Sequence, residues 1–259
     1  MNIFAHGRKS HIFEGENNTV VKLYEKGFPL DKIHQEYQKA KIIWQSKQIY
    51  VPEPIREITL EGQHGIIFAK VEGIALIDLF QKKPWLYFSY IPKIAAIHKS
   101  IHQVHIENLP TQQQMFSKLI EHSERLLNDD KARLLSILDK KYVAVLCHGD
   151  FHHGNLIQTR SGETYIVDWM DAFVGAYQLD VALTAVNAAI STAPDHVPVV
   201  YRQIYEILKR VLHLDSMYLR AYSLKNIDEY LLLAAGIHLT RYEGKHIEMH
   251  EKYFDRMKK

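Results

Sequence analysis

Three polar side chains, Asp150, Asn155 and Asp168, are spaced so that they could act together on one substrate. Asp150 ends a His-Gly-Asp sequence that follows the apolar residues 143–146, and Asn155 stands five positions after it. Asp168 follows a second apolar segment, residues 165–167. Each apolar segment predicts a short buried strand, which would deliver its polar residues to a loop at its end.

A hairpin is predicted between Asn155 and Asp168. Residues 156–158 favour a short strand, and residues 159–163 have the composition of a turn. We therefore expect a rigid hairpin that holds the three polar side chains near one point. Phosphoryl transfer requires this combination, because one acid accepts or orients the proton of the nucleophile while the amide and the other acid hold Mg²⁺ on the nucleotide phosphates.

Two other interpretations of these residues are open. The acids of a polar hairpin could simply cap turns, although their joint spacing would then be a coincidence. A hydrolytic metal site is a second alternative, since His148, His152 and His153 are potential ligands beside the acids. However, the order His-x-Asp-x-His-His differs from the His-x-His-x-Asp-His of one metallohydrolase class, and the chain contains no His-Glu-x-x-His. The sequence therefore favours phosphoryl transfer.

Residues 148–180 resemble the signature of the aminoglycoside phosphotransferase family, which is part of the protein-kinase-like superfamily. The signature is His-Gly-Asp, four residues, Asn, and then an Asp at the end of the following hairpin, as in this chain. The resemblance implies that Asp150 is the catalytic base and that Asn155 and Asp168 are the metal ligands. Trp169 stands in place of the Phe of the protein-kinase magnesium motif.

Asp180 belongs to an Asp-Val-Ala sequence where the family has Asp-Leu-Ala. Residues 171–180 predict a loop and residues 181–190 an apolar helix. Asp180 would then be the N-cap, whose carboxylate satisfies free amides of the first turn. We interpret it as structural support for the catalytic loop and not as a metal ligand.

The N-terminal segment predicts an antiparallel sheet with strands at residues 3–5, 11–14 and 19–24. In a kinase-like lobe the first turn, here including Gly7 and Ser10, lies over the nucleotide phosphates, and Lys22 on the third strand reaches the α- and β-phosphates. The turn lacks the Gly-x-Gly-x-x-Gly pattern. The alternative for Lys22 is a solvated strand lysine.

Residues 31–47 predict a helix with Asp31 as N-cap and an apolar stripe that includes Ile33 and Ala40. Glu36 lies on this helix, and the resemblance implies that it pairs with Lys22. The alternative is a surface glutamate in a charged helix.

Residues 55–60 and 65–71 predict a further hairpin, which resembles the strand that leads into the family's hinge. The resemblance implies that backbone groups near Ala69 and Val71 hydrogen-bond an adenine edge. Gly73 is the expected boundary between a nucleotide-binding lobe, residues 1–73, and a catalytic and acceptor-binding lobe, residues 74–259. The predicted fold class is α+β: a bilobal kinase-like fold with an antiparallel sheet and one helix in the small lobe and mainly helices in the large one.

His98, His102 and His105 share a stripe on a predicted helix around residues 94–104. They could suggest a metal site, but helical spacing makes such stripes common, and histidines satisfied within the core or at its polar edge are favoured. Cys147, the single cysteine, excludes an intramolecular disulfide and is expected to be a buried packing residue.

Composition narrows the class of protein. The 259 residues are 47% apolar, which is enough for a substantial core. Lys and Arg total 32 against 30 Asp and Glu, so net charge indicates neither a nucleic acid nor a membrane surface as partner. The N-terminus has no apolar signal core and no stretch has membrane-spanning length, from which we expect a cytoplasmic protein.

The resemblance implies transfer of the γ-phosphoryl group of ATP, or of GTP, to a hydroxyl group of a small molecule, with Mg²⁺ as the metal. Relatives sharing the signature use aminoglycosides, choline-like alcohols, sugars, amino alcohols and macrolides, so the acceptor stays open. The alternative is a non-catalytic kinase-like module that binds a nucleotide or a partner. The complete set of Lys22, Asp150, Asn155 and Asp168 favours the enzyme, whereas the abbreviated phosphate loop favours the module.

Overall fold

The computed structural model describes residues 3–6, 9–83, 85–192, 213–224, 227–241 and 247–259, together with isolated positions between 199 and 209. Gly7 lies outside them, as does most of the segment 201–212, whose sequence predicts a helix. The chain forms two compact units: the first comprises Met1–Leu86, Ile106–Leu109 and His152–Ala172, and the second comprises Tyr87–His105, Pro110–Phe151 and Phe173–Lys259. The boundary at Gly73 stays a prediction.

The first unit contains a five-stranded antiparallel sheet in the order β1-β2-β3-β5-β4 and a three-stranded sheet in the order β6-β8-β9. Two helices and a 3₁₀ turn at His153–Asn155 accompany them. The elements of this unit are β1 (Ile3–His6), β2 (Ser10–Glu14), β3 (Thr19–Tyr24), α1 (Leu30–Ser46), β4 (Pro54–Leu60), β5 (Gln63–Ala69), β6 (Gly73–Ala75), α2 (Leu76–Lys82), β8 (Leu156–Thr159) and β9 (Thr164–Ile166).

Strand alternation in β3 separates two faces of the large sheet. Val21 and Leu23 pack with Ile67 in one buried cluster, whereas Tyr24 packs with Ile33 of α1 in another. Because successive side chains of a strand point to opposite faces, Lys22 shares the face of Tyr24, towards α1. The fold thereby directs a lysine from the middle of a strand at a helix.

Helix α1 follows Pro29 and begins at Leu30, so the predicted N-cap, Asp31, is wrong and lies in the first turn. Pro29 fits this start, because a proline lacks the amide that a helix N-terminus leaves unpaired in any case. The buried residues of α1 are Ile33, Glu36, Lys39, Ala40 and Ile43. Two charged side chains therefore lie on the face that packs on the sheet.

The described residues of the second unit form mainly helices, with one two-stranded antiparallel sheet made by β7 and β10. The amphipathic pattern of residues 115–138 predicts one or two helices, and the structure has two there. The elements are α3 (Leu86–Ile101), α4 (Gln112–Glu121), α5 (Asn128–Leu138), β7 (Ala144–Cys147), β10 (Phe173–Ala176), α6 (Tyr177–Ile190), α7 (Leu214–Tyr222), α8 (Asp228–Arg241) and α9 (Ile247–Met257).

The loop predicted at residues 171–180 is wrong. Phe173–Ala176 forms strand β10, which pairs with β7 so that Phe173 faces Cys147, and α6 begins at Tyr177. The close packing of this strand explains the glycine at position 175, because a Cβ there would lie 2.8 Å from Oε1 of Gln112 and 2.6 Å from the Phe173 ring. Cys147 is fully buried, as expected.

Within the part of the chain that the structure describes, no helix combines the length and apolar character needed to cross a membrane.

Candidate active site

Lys22 lies between two carboxylates in the first unit. Its Nζ is 2.7 Å from Oε1 of Glu36 and 2.8 Å from Oδ1 of Asp168. Lys22 and Glu36 are buried, at 8% and 1% exposure, whereas the Asp168 side chain is 42% exposed. The structure thus contains the Lys22–Glu36 pair that the resemblance implied, and it brings Asp168 to the same ammonium group.

The charges of this cluster depend on one another. Burial alone would lower the pKa of Lys22, but the carboxylates of Asp168 and Glu36 outweigh it and hold that pKa well above its ordinary value. Burial raises the pKa of Glu36, while the nearby Lys22 opposes that shift. Tyr24 donates its hydroxyl hydrogen bond to Oε2 of Glu36. Lys22 therefore stays protonated and is aimed by the residues around it.

Asp168 and Asn155 are connected through the backbone. The amide of Val167 donates to the carbonyl of Asn155 at 3.0 Å, and Leu156 opposite Ile166 begins the β8–β9 hairpin. Asn155 ends the 3₁₀ turn and is 7% exposed. The predicted hairpin is therefore confirmed, and it fixes the backbone of both proposed metal ligands.

The segment that carries Asp168 is anchored on both sides. Asp168 itself has a φ of 66°, the left-handed region that side chains other than glycine rarely occupy. Trp169 is buried and donates its indole N–H to the carbonyl of Ile166, and Lys39 of α1 donates to the carbonyl of Met170 at 2.7 Å. Sequence reasoning missed Lys39, although its place three residues after Glu36 on the same helix was a usable signal.

Asp150 belongs to the second unit, in the loop after β7. Strand β7 pairs with β10 and not with the β8–β9 hairpin, so the prediction of one hairpin holding all three polar residues is wrong in that respect. Nδ2 of Asn187, on α6, is 3.3 Å from Oδ1 of Asp150. Sequence reasoning also missed Asn187, because it connected only Asp180 to this loop and nothing in the linear pattern singles out Asn187.

Asp180 holds the backbone of the loop that carries Asp150. Its Oδ2 accepts from the amide of His148 at 2.7 Å, and its Oδ1 accepts from the amide of Gly149 at 2.8 Å. The predicted support of the catalytic loop by Asp180 is confirmed, but the predicted N-cap role is wrong, because α6 begins at Tyr177 and the carboxylate points to the loop. Gly149 has a φ of 81°, which explains why a glycine precedes Asp150.

His98 and His102 also contact Asp180, with their Nε2 atoms 2.8 and 3.0 Å from its Oδ2. Burial lowers the pKa of His98 to about 4. Although burial alone would raise the pKa of Asp180, the two histidines hold it well below its ordinary value. These two histidines are satisfied within the core; His105 lies beyond the end of α3 and is exposed.

The three remaining nucleotide-site predictions lie on the large sheet or at its end. Ser10 begins β2 opposite Tyr24 and is buried. The amide of Ala69 already donates to the carbonyl of Glu53 at 2.9 Å, so an adenine contact by Ala69 would need another backbone group. Val71 follows β5 outside the strand. Contact of these residues with a nucleotide stays a prediction.

A family model described as the phosphotransferase enzyme family matches residues 5–218. The chain belongs to this family. Membership confirms the predicted resemblance and makes the chain a small-molecule phosphotransferase. No curated protein sequence shows detectable similarity to it.

Several solved structures have a similar fold. The aminoglycoside phosphotransferase APH(4)-Ia is 14% identical, with a TM-score of 0.61 over 99% of this chain and 89% of that one. An ethanolamine kinase from Plasmodium vivax is 13% identical, with a TM-score of 0.60 over 98% and 81%. The choline kinase LicA from Streptococcus pneumoniae is 14% identical, with a TM-score of 0.58 over 98% and 90%. The predicted α+β kinase-like fold is confirmed.

Proposed function

We propose that this phosphotransferase moves the γ-phosphoryl group of ATP to a hydroxyl group of a small molecule. The observation that carries the proposal is the buried Lys22 ammonium, held by Glu36 and Asp168 at 2.7 and 2.8 Å. In phosphoryl-transfer enzymes of the kinase type, a strand lysine paired to a helix glutamate binds the nucleotide phosphates. A merely solvated lysine would need neither its burial nor two carboxylates.

Asn155 and Asp168 would hold Mg²⁺. An amide oxygen and a carboxylate are ligand types that Mg²⁺ accepts, and the half-exposed Asp168 can be reached from solvent. The ion would neutralise charge on the phosphates. In the same unit Lys22 would bind the phosphates, while Glu36 and Tyr24 keep its ammonium group oriented.

Asp150 would act as the catalytic base. Its carboxylate orients the acceptor hydroxyl and takes its proton as the oxygen attacks phosphorus. Asn187 donates to Oδ1 and so limits rotation of the carboxylate. The fixed backbone at His148 and Gly149 limits movement of the residue as a whole.

The choice of nucleotide and acceptor is inferred from solved complexes of proteins with a similar fold. A variant of APH(4)-Ia of similar fold was solved with AMP-PNP and hygromycin B, and another with ADP and hygromycin B. These complexes favour ATP over GTP and a polyhydroxylated or amino-alcohol acceptor, such as an aminoglycoside, a sugar, choline or ethanolamine. Adenine would contact the backbone near Ala69 and Val71, and Ser10 would lie by the phosphates.

Nucleotide binding can be tested before the acceptor is known. A ligand that binds the native state raises the free energy of unfolding by about 2.7 kcal/mol at 100 times its Kd, and the thermal midpoint rises with it. We expect MgATP to raise the midpoint of the wild-type chain and of Lys140→Met, which removes an exposed ion pair with Glu229. Asp168→Asn should lose the magnesium-dependent part of the shift. No shift with MgATP or MgGTP would contradict the proposal and favour a binding module.

Turnover is then measured with ATP and a panel of hydroxyl acceptors. Asp150→Asn should lower kcat by about 10²- to 10⁴-fold, the usual effect of removing a general base, while the MgATP midpoint shift is kept. The exposed Asp139→Asn is the matched control and should turn over like the wild type. Wild-type turnover by Asp150→Asn would refute its role as the base.

A further inference from the structure

Two histidines and two tyrosines form paired relays onto Asp180. His98 lies on α3 and His102 directly follows its last residue, with the His102 amide donating to the carbonyl of His98 at 3.4 Å. Tyr218 and Tyr222 are four residues apart on α7. The hydroxyl of Tyr218 contacts Nδ1 of His98, and that of Tyr222 lies 2.6 Å from Nδ1 of His102. The four-residue spacing, one helical turn in each case, therefore places the two His–Tyr pairs side by side.

The proton positions in both relays follow from the chemistry of Asp180. An ionised carboxylate only accepts hydrogen bonds, so Nε2 of each histidine must carry a proton towards it. In a neutral imidazole the other nitrogen, Nδ1, is then an acceptor, and the tyrosine hydroxyl must donate to it. The tyrosines thus select the histidine tautomer that can donate to Asp180.

His98 also contacts Phe151, the residue that follows the proposed base. The ring of Phe151 stacks on the His98 imidazole, with centroids 4.1 Å apart and an interplanar angle of 15°. Gly149, the residue before Asp150, donates its amide to Asp180. His98 therefore acts on both neighbours of Asp150, through Asp180 on one side and through its own ring on the other.

We propose that His98 and His102 are positioning residues, which hold the loop of Asp150 through Asp180 and are themselves oriented by Tyr218 and Tyr222. Two backbone amides and two imidazole N–H groups surround the buried carboxylate of Asp180. Because a buried carboxylate needs donors on its oxygens, removing one imidazole weakens its hold on both amides. The catalytic part of the inference rests on the proposed function of Asp150.

A metal ion is the rival explanation, because the ligand atoms of His98, His102 and Asp180 lie within 4.8 Å of one another. The hydrogen-bonded arrangement accounts for every nitrogen of both imidazoles and for the charge of Asp180 without an ion. Elemental analysis of the purified full chain decides between the two. A stoichiometric transition metal that is lost in His102→Phe would overturn the inference.

The relays are tested with two substitutions at each histidine. His98→Phe and His102→Phe keep a ring but remove the donor, whereas the corresponding Gln variants keep a donor N–H for Asp180. By hydrogen exchange, we expect the amides of His148 and Gly149 to exchange about tenfold or more faster in the Phe variants. In the Gln variant of His102 the increase should be smaller. His122→Phe is the control: His122 is exposed and bonds the carbonyl of Lys118, so its loss should leave the exchange rates of both amides unchanged.

Tyr218→Phe and Tyr222→Phe guard against variants that fail to fold, because they remove only a hydroxyl. Each should raise exchange of the two loop amides by several-fold, while Tyr142→Phe, whose hydroxyl bonds Gln113 elsewhere in the unit, should not. Unchanged exchange in all four relay variants would overturn the inference.

Kinetics separate positioning from general support. With an active acceptor, kcat should fall about tenfold in His102→Phe and recover in His102→Gln, while MgATP affinity stays constant. A parallel loss of MgATP affinity would contradict positioning. If the wild type turns over no acceptor, the exchange result still tests the relays, and it is then the proposed function that has failed.

Discussion

The Lys22–Glu36 pair gives the sharpest prediction. Glu36→Gln keeps the shape of the side chain and an oxygen that can accept from Lys22, but it removes the charge. Removing one partner of a buried ion pair costs about 3–5 kcal/mol. The loss should lie near the lower end, about 3 kcal/mol, because Asp168 remains 2.8 Å from the ammonium. For a chain of this size, that corresponds to a fall of about 6–12 °C in the thermal midpoint.

Nucleotide binding should weaken in the same variant. In the Gln variant Asp168 is the charged partner that Lys22 keeps, and that carboxylate is also the proposed metal ligand. We expect MgATP affinity to fall by about tenfold or more, the effect of losing one charge-assisted contact. Titration calorimetry measures the affinity, and differential scanning calorimetry measures the midpoint.

Two controls define the result that would refute this reasoning. Lys140→Met breaks an exposed pair and should change stability by less than about 1 kcal/mol. Tyr24→Phe keeps the Glu36 charge and removes one hydrogen bond, for a loss of about 1 kcal/mol. If Glu36→Gln keeps both the wild-type midpoint and the MgATP affinity, Glu36 does not position Lys22.

Three further predictions follow from other contacts. Asn187→Leu should lower kcat about five- to tenfold at unchanged MgATP affinity, since it removes a hydrogen bond that limits rotation of the Asp150 carboxylate, and steady-state kinetics measures this. Gly65→Ala should destabilise the chain by about 1–3 kcal/mol in urea unfolding, because its Cβ would lie 2.3 Å from the carbonyl oxygen of Lys22. Burial lowers the pKa of His98 from 6.5 to about 4, so the unfolded chain binds a proton in this window that the native chain does not. The free energy of unfolding should therefore fall by about 3 kcal/mol from pH 7 to pH 4, and His98→Gln should remove that part of the fall.

Much of the Lys22 cluster and of the β8–β9 hairpin could be predicted because both depend on local patterns. The alternation of β3 and the apolar stripe of α1 placed Lys22 and Glu36 correctly on their elements. Short apolar strands flanking a turn indicated the β8–β9 hairpin between Asn155 and Asp168. Each of these inferences needs only neighbours within one or two elements, and that is why the sequence carried them.

The parts that were wrong or missed depend on contacts between distant residues. Strand β10 has only four residues and contains Gly175, so its sequence favours a loop, and only its pairing with β7 makes it a strand. Asp180 was correctly expected to support the catalytic loop, but its partner amides lie 31 and 32 positions earlier in the chain, so the sequence assigned its carboxylate to the N-terminus of the helix instead. A pattern read along the sequence cannot identify such partners.

The burial of Cys147 has a practical consequence. Its thiol is fully enclosed, and burial raises its pKa well above the ordinary value, so the reactive thiolate is scarce in the native chain. Cys147 is the single cysteine and ends strand β7, one residue before the loop amides. The rate at which a disulfide reagent modifies it therefore measures how often this strand opens. The same inertness lets a cysteine introduced on the surface carry a fluorescent or spin label without first removing the native one.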